Sequence, residues 1–137
     1  MSSEELSSQC QMLLVGGHLT LIDQLCNAVH AFLNHPEQLR RLRSDPSRIG
    51  PAIEEVLRYD PPVSFVHRVA AEDLELGGAE IRKGDRVLLC LAAANRDPEA
   101  FADPDAFDIG RAGARHLSFG AGPHACAGSS TPASPRR

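Results

Sequence analysis

The chain has 137 residues, 42% of them hydrophobic and 23% charged, a balance that supplies one soluble core but not two. A formal net charge of -4 leaves no broad basic field for gripping nucleic acid or anionic lipid, so neither is an expected partner. No uninterrupted apolar run, Met12 to Val15 included, comes near the length of a bilayer span, and the amino terminus opens on polar Ser2, Ser3, Glu4 and Glu5 rather than an export signal; a cytoplasmic setting without membrane attachment is expected.

In chain order, Ser2 with Glu5 reads as a capping box, and no proline follows until Pro36, so one long helix is predicted between them. Ile22, Leu25, Val29 and Phe32 recur on its apolar stripe. Gly16 and Gly17 interrupt this helix text. Adjacent glycines cost about 1 kcal/mol each relative to alanine, which predicts a close approach there by another helix or by a ligand. Pro36 opens a second, basic-faced helix over Glu37 to Arg43, stopped by Asp45-Pro46. Pro51 at a first helical position begins a third, "PAIEEVLRYD", which Pro61 and Pro62 end.

Beyond the double proline the period changes. "VSFVHRVA", "LELGG" and "AEIRKGDRVLLCLAAAN" alternate, carry β-branched residues and turn at Gly77-Gly78 and Lys83-Gly84-Asp85, which predicts a small antiparallel sheet. The fold class is therefore mainly α with a small antiparallel β-sheet, an α+β arrangement. "RDPEAFADPDAFDIGR" reads as an ordered loop with short turns, Asn95 and Arg96 at its start as turn-forming residues, and "TPASPRR" at 131–137 as a disordered tail.

Cys10, Cys26, Cys90 and Cys126 lie far apart with no C-x-x-C pair, so neither a disulfide framework nor a standard zinc site is indicated. A function for Cys126 must use a single thiolate. Its setting, "FGAGPHACAG", surrounds it with Gly120, Gly122 and Gly128, which bring backbone close to a flat surface, while Phe119 and Pro123 stiffen the loop. Backbone N–H groups of such a loop can donate to the sulfur and tune an iron bound to it. Glu55 and Arg58 in "EEVLR" lie on one helix face, where an isolated pair is most simply a solvated surface ion pair worth under about 1 kcal/mol.

The ten-residue pattern F-G-x-G-x-H-x-C-x-G resembles the haem-binding loop of the cytochrome P-450 haem-thiolate monooxygenases, without a departure. The resemblance implies that Cys126 ligates the iron of heme b, that Phe119 shields the sulfur, and that His124 and Arg68 of "HRVA" bind haem propionates. It implies that Glu55, Arg58 and Arg111 of "FDIGR" form a cluster that pins the loop before Cys126 to a helix. "GGHLT", residues 16–20, is similar to the oxygen-binding segment of the family's central helix, with Gly16 and Gly17 opening a gap beside the iron and Thr20 supplying a proton-steering hydroxyl. Leu19 stands where that segment usually has an acid, and Asp23 and His18 are the nearby polar groups. Leu13, Leu14 and Leu21, with Val63, Phe65 and Val66, are implied linings of a pocket for a hydrophobic small-molecule substrate.

The activity implied is insertion of one atom of dioxygen into an organic substrate, the other leaving as water, with a ferredoxin or flavoprotein reductase as electron donor. The resemblance runs over 1–130 and accounts for the carboxy-terminal third of the family fold, from the central oxygen-binding helix to the cysteine loop. A truncated product is therefore expected, with a frameshift after Ser130 as one origin, binding haem weakly or not at all. The alternative is an inactive fragment or a non-catalytic interaction module that does not bind haem.

Overall fold

The computed structural model describes residues 1–112 and 115–129; the predicted tail at 131–137 lies outside them. The first helix, α1 (Ser3–Asn34), begins at the expected capping box: the Ser2 hydroxyl accepts from the Glu5 N–H, and the Glu5 carboxylate accepts from the Ser2 N–H. It runs unbroken to the residue before His35. Helix α2 (Pro36–Ser44) has its proline at the first turn, where a missing N–H costs nothing, and Asp45 caps the short 3₁₀ turn Pro46–Arg48 that leads into α3. Helix α3 (Ile49–Tyr59) starts upstream of Pro51, because the preceding turn already sets helical geometry at Ile49.

The core lies where the last turns of α1 meet α3 and the irregular segment after it. Ala31, Ala52, Val56, Phe107 and Ile109 are buried there, with Ala28, Phe32, Leu42 and Tyr59 packed around them. Phe107 meets Phe32 edge-on at 5.3 Å and Tyr59 at 5.2 Å between ring centroids, within the favourable range for aromatic pairs. Asn27 adds a hydrogen bond of 3.0 Å from its side-chain amide to the Asp60 carbonyl, tying α1 to the end of α3.

The predicted sheet is two separate ladders. Strand β1 (Phe65–Val69) pairs with β4 (Arg86–Cys90), with Phe65 opposite Cys90 and Val69 opposite Arg86. Between them in sequence, β2 (Leu74–Leu76) and β3 (Ala79–Ile81) form a hairpin closed by Gly77-Gly78. Alternation identifies strands, but does not say which edges meet. The last residues of the strand-like text, Leu91–Ala94, form a short helix, α4, which buries Leu91 and ends at Asn95. The loop expectation for 96–111 holds: Phe101, Phe107 and Ile109 anchor it while its backbone turns irregularly.

Most of the first two-thirds of α1 is exposed. Of the apolar stripe, Ile22, Leu25 and Val29 are exposed and only Phe32 packs against the core. Leu13, Leu14 and Val15 are 64%, 70% and 57% exposed, and a Cβ built on Gly16 or Gly17 meets nothing within 4 Å. Among the described residues no helix covers the paired glycines. Read as a whole helix rather than as an uninterrupted run, α1 is also long and apolar enough to cross a membrane: one 18-residue window has a mean hydropathy of 1.3 and is entirely unburied. Helices at the centre of large soluble proteins have the same composition, so length and hydropathy leave both roles open.

Candidate functional site

Helix α3 carries the best-ordered polar construction in the molecule. Arg58 is 2% exposed and Glu55 4%, so their pair is buried rather than solvated, contrary to the simplest reading of an i, i+3 pair. Arg58 grips the Glu55 carboxylate twice, through Nε and Nη2, each at 2.8 Å. Its remaining N–H groups donate to the carbonyls of Asn95 (3.0 Å), Pro104 (2.7 Å) and Ala106 (2.8 Å). All five guanidinium donors are thereby used, which is what burial of a charge requires.

Arg111 joins the same carboxylate, its Nε 3.2 Å from Glu55 Oε2, and donates to the carbonyls of Ala102, Asp103 and Ala106. The Asp108 N–H completes the shell on Glu55 Oε1 at 2.9 Å. Two arginines therefore supply donors for an irregular segment whose carbonyls have no strand or helix to bond. The cluster expected from sequence is assembled, and it holds the 102–111 segment on α3. Asp103 sits in that segment at a φ of +46°, the left-handed region that few non-glycine residues enter, and Asp is one of those that tolerate it.

Around this cluster, the exposed edge of the segment is tied to α2. Arg41 pairs with Asp108 at 2.6 Å, and Asp108 Oδ1 also accepts from the Gly110 N–H at 2.8 Å. The Gly110 hydrogen bond foremost, then Arg41, holds the Asp108 carboxyl below its ordinary range against the opposing effect of burial. The guanidinium of Arg41 lies directly over Gly110: a Cβ there would run into Nη2 and sit 2.9 Å from Cζ.

Asn95 was read from sequence as a turn former, and the structure gives it a larger structural task. It is completely buried, accepts from the Leu117 N–H at 2.7 Å, and donates to Ser118 Oγ at 2.8 Å. Ser118 in turn donates to the Leu57 carbonyl of α3 at 2.6 Å. The stretch just before the cysteine loop is thus clamped from two sides, by residues that carried no sequence signal beyond a turn-like composition. Arg96 extends the same framework, pairing with Asp105 at 2.8 Å while its guanidinium lies 4.2 Å above the Tyr59 ring.

From Ser118 the chain enters the loop. Phe119 is half-buried, and its carbonyl accepts the Cys126 N–H at 2.8 Å, closing 119–126 into a ring. Gly120 and Gly122 take φ values of +68° and +76°, which side chains rarely adopt, and the 3₁₀ turn Gly122–His124 lies between them and the cysteine. Cys126 is exposed, and so are His124 and Gly128; a Cβ on Gly128 would stand 3.7 Å from Cys126 Sγ. Among the described residues no backbone N–H donates to the sulfur, so the expected tuning bonds are not in place here. Arg68, on β1, is exposed and donates to the His67 carbonyl at 2.8 Å; among the described residues neither it nor His124 is paired with a carboxylate.

Thr20 lies apart from this assembly, on α1. Its hydroxyl donates to the Gly16 carbonyl at 2.6 Å, a bond back to the preceding turn, and the helix is continuous across Gly16 and Gly17 rather than opened. Leu19, Asp23 and His18 beside it are exposed. Of the implied pocket lining, Leu13, Leu14, Leu21 and Phe65 are exposed and Val63 and Val66 half-buried, so these residues are not the ordinary core of this chain.

Comparison with known proteins brings these parts under one heading. The family model for cytochrome P450 matches residues 49–130. The chain is 49% identical over 130 residues to the biotin biosynthesis cytochrome P450 of Bacillus subtilis, covering 95% of this chain and 33% of that protein. It is 46% identical to the cytochrome P450 monooxygenase PikC of Streptomyces venezuelae, over 93% of this chain and 31% of PikC. Among solved structures, P450BioI in complex with a hexadec-9Z-enoic acid ligated acyl carrier protein superposes with a TM-score of 0.89 at 48% identity, covering 92% of this chain and 33% of that one. The chain thus spans about a third of the length of these relatives. With its helices, its ladders and its cysteine loop all matched in that third, the chain belongs to the cytochrome P450 family.

Proposed function

We propose that this chain carries the thiolate side of a haem-dependent monooxygenase site, acting on a hydrophobic organic molecule in the bacterial cytoplasm. The observation that carries the reading is Cys126: an exposed thiol on a glycine-framed loop whose approach is clamped to α3. Heme b is the group these residues fit. Cys126 is a single donor rather than part of a metal-ligand cluster among the described residues, which suits a metal whose other positions are filled by a macrocycle. Gly128 leaves room beside the sulfur, and the exposed Arg68 and His124, without carboxylate partners among the described residues, are available to anionic propionates.

Haem, when bound, supplies the redox-active iron at which dioxygen is activated. The chain's own residues have distinct tasks. Cys126 would hold the iron as thiolate, with Phe119 as the residue that would shield the sulfur once haem is bound. Glu55, Arg58 and Arg111 keep the approach to the loop rigid. Thr20, beside Gly16 and Gly17, would hand on protons in the reaction, and its hydroxyl would have to leave the Gly16 carbonyl to do so. Electrons come from a ferredoxin or flavoprotein reductase. The complex of a relative with a fatty acid on its carrier protein supports the hydrophobic character of the substrate.

The test is a hemin titration of the purified chain. With so much of α1 uncovered, weak uptake is expected, and the ferrous carbon monoxide complex should show the red-shifted band of thiolate ligation, lost in Cys126→Ser. The reading fails if that band survives Cys126→Ser and disappears instead on substitution of Cys10, Cys26 or Cys90.

A further inference from the structure

We infer that His116 is a positioning residue for the Cys126 loop, acting as a relay between Glu54 on α3 and the Ser118–Phe119 hinge of that loop. The inference uses the haem-thiolate reading for the purpose of the loop, whereas its geometry stands without haem. The His116 side chain is 6% exposed, and its Nδ1 accepts from the Ser118 N–H at 3.2 Å. A ring nitrogen that accepts carries no proton, so the proton lies on Nε2, which stands 3.1 Å from Glu54 Oε2 and donates to it. The tautomer is thus set by the two partners together.

The ring also lies 5.8 Å from the Phe119 ring, at an interplanar angle of 47°. Phe119 is the residue whose carbonyl receives the Cys126 N–H. Glu54, His116, Ser118 with Phe119, and Cys126 therefore form one continuous series of contacts. Asn95 and Leu57 hold Ser118 through its hydroxyl, and His116 holds it through its backbone N–H, so the two attachments set different degrees of freedom: the first its location, the second the direction in which the chain leaves for Phe119. No other role in the site has been assigned to His116.

Amide hydrogen exchange of the full chain, resolved by NMR, tests this without any bound group. In His116→Ala the Ser118 and Cys126 amides should each lose protection about fivefold, the worth of one hydrogen bond, while Val56 in α3 keeps its own. His116→Asn, whose Oδ1 takes the place of Nδ1 but which does not reach Glu54, should restore part of the loss at both amides; His116→Gln reaches Glu54 but offers Ser118 no acceptor and should restore none. Unchanged Cys126 protection in His116→Ala, or rescue by Gln as good as by Asn, overturns the inference. Should His116→Ala fail to fold, Glu54→Ala at its exposed position probes the same series, and undiminished Ser118 protection there overturns it too. The hemin titration decides the haem reading separately.

Discussion

The two ends of the helical part of this chain obey opposite rules. On α3, two arginines and a carboxylate are buried with every guanidinium donor of Arg58 used, and polar atoms hold an irregular loop in place. On the first two-thirds of α1, leucines, valine and methionine face outward, uncovered among the described residues. One region hides charge and the other displays apolar surface, the inverse of the ordinary distribution. The contrast teaches that the order in this chain is concentrated where contacts are internal to it, and that α1 presents a face made for contacts elsewhere. The relatives, about three times as long, have the additional chain to provide such contacts.

The strongest way to break the contrast is to remove its buried half. Glu55→Ala leaves Arg58 and Arg111 as uncompensated buried charges, and a loss of about 3–5 kcal/mol is expected, comparable with the whole stability of a small domain. Urea unfolding followed by circular dichroism checks it: a change below about 1 kcal/mol would show that the cluster is not the keystone described.

A smaller effect sharpens the boundary of the ordered region. Folding lowers the pKa of Asp108 from the ordinary 3.8, through the Gly110 N–H and Arg41, so the ionised form is favoured in the folded state. That contribution is fully present above 3.8 and is lost as pH falls through the lower folded-state value. Because Arg41 and Asp108 are each 43% exposed, it should stay below about 1 kcal/mol. Acid unfolding of Asp108→Asn against the parent chain measures the difference, which should vanish at the acid end of the titration.

The smallest effect belongs to the other half. Leu13→Gln with Leu14→Gln should change stability by no more than about 0.5 kcal/mol, since neither side chain is buried, while lowering self-association. Sedimentation and urea melts on the same samples separate the two quantities. A large destabilisation would mean that this face is already packed in solution.

How legible these regions were follows the same division. Helix limits could be read because prolines at 36, 61 and 62 and the Ser2–Glu5 capping box act locally, whereas Pro51 lies inside the first turn of α3. The cysteine loop was visible because its glycines, histidine and cysteine are contiguous. Burial of Glu55 and Arg58 was not visible, since an i, i+3 pair has the same spacing whether a loop covers it or water does. Only Arg111, far along the chain, hinted at a cover. Asn95 and His116 went unread for a related reason: each works by linking backbone groups distant in sequence, and one asparagine or histidine carries no mark of its eventual partners. The stripe Ile22, Leu25, Val29 marked a helix and not its burial, because periodicity reports amphipathicity, whereas burial depends on what the rest of the chain supplies.

The contact between Arg41 and Gly110 makes the fate of one position depend on the history of another. With Arg41 in place, a side chain at 110 displaces the flexible end of its guanidinium, so Gly110→Ala costs at most the exposed ion pair with Asp108, below about 1 kcal/mol. Once Arg41 has been shortened, as in Arg41→Ser, the same Gly110→Ala finds an empty site and becomes nearly silent. The two substitutions are therefore non-additive: whichever comes first takes the ion pair, and the second finds it already gone.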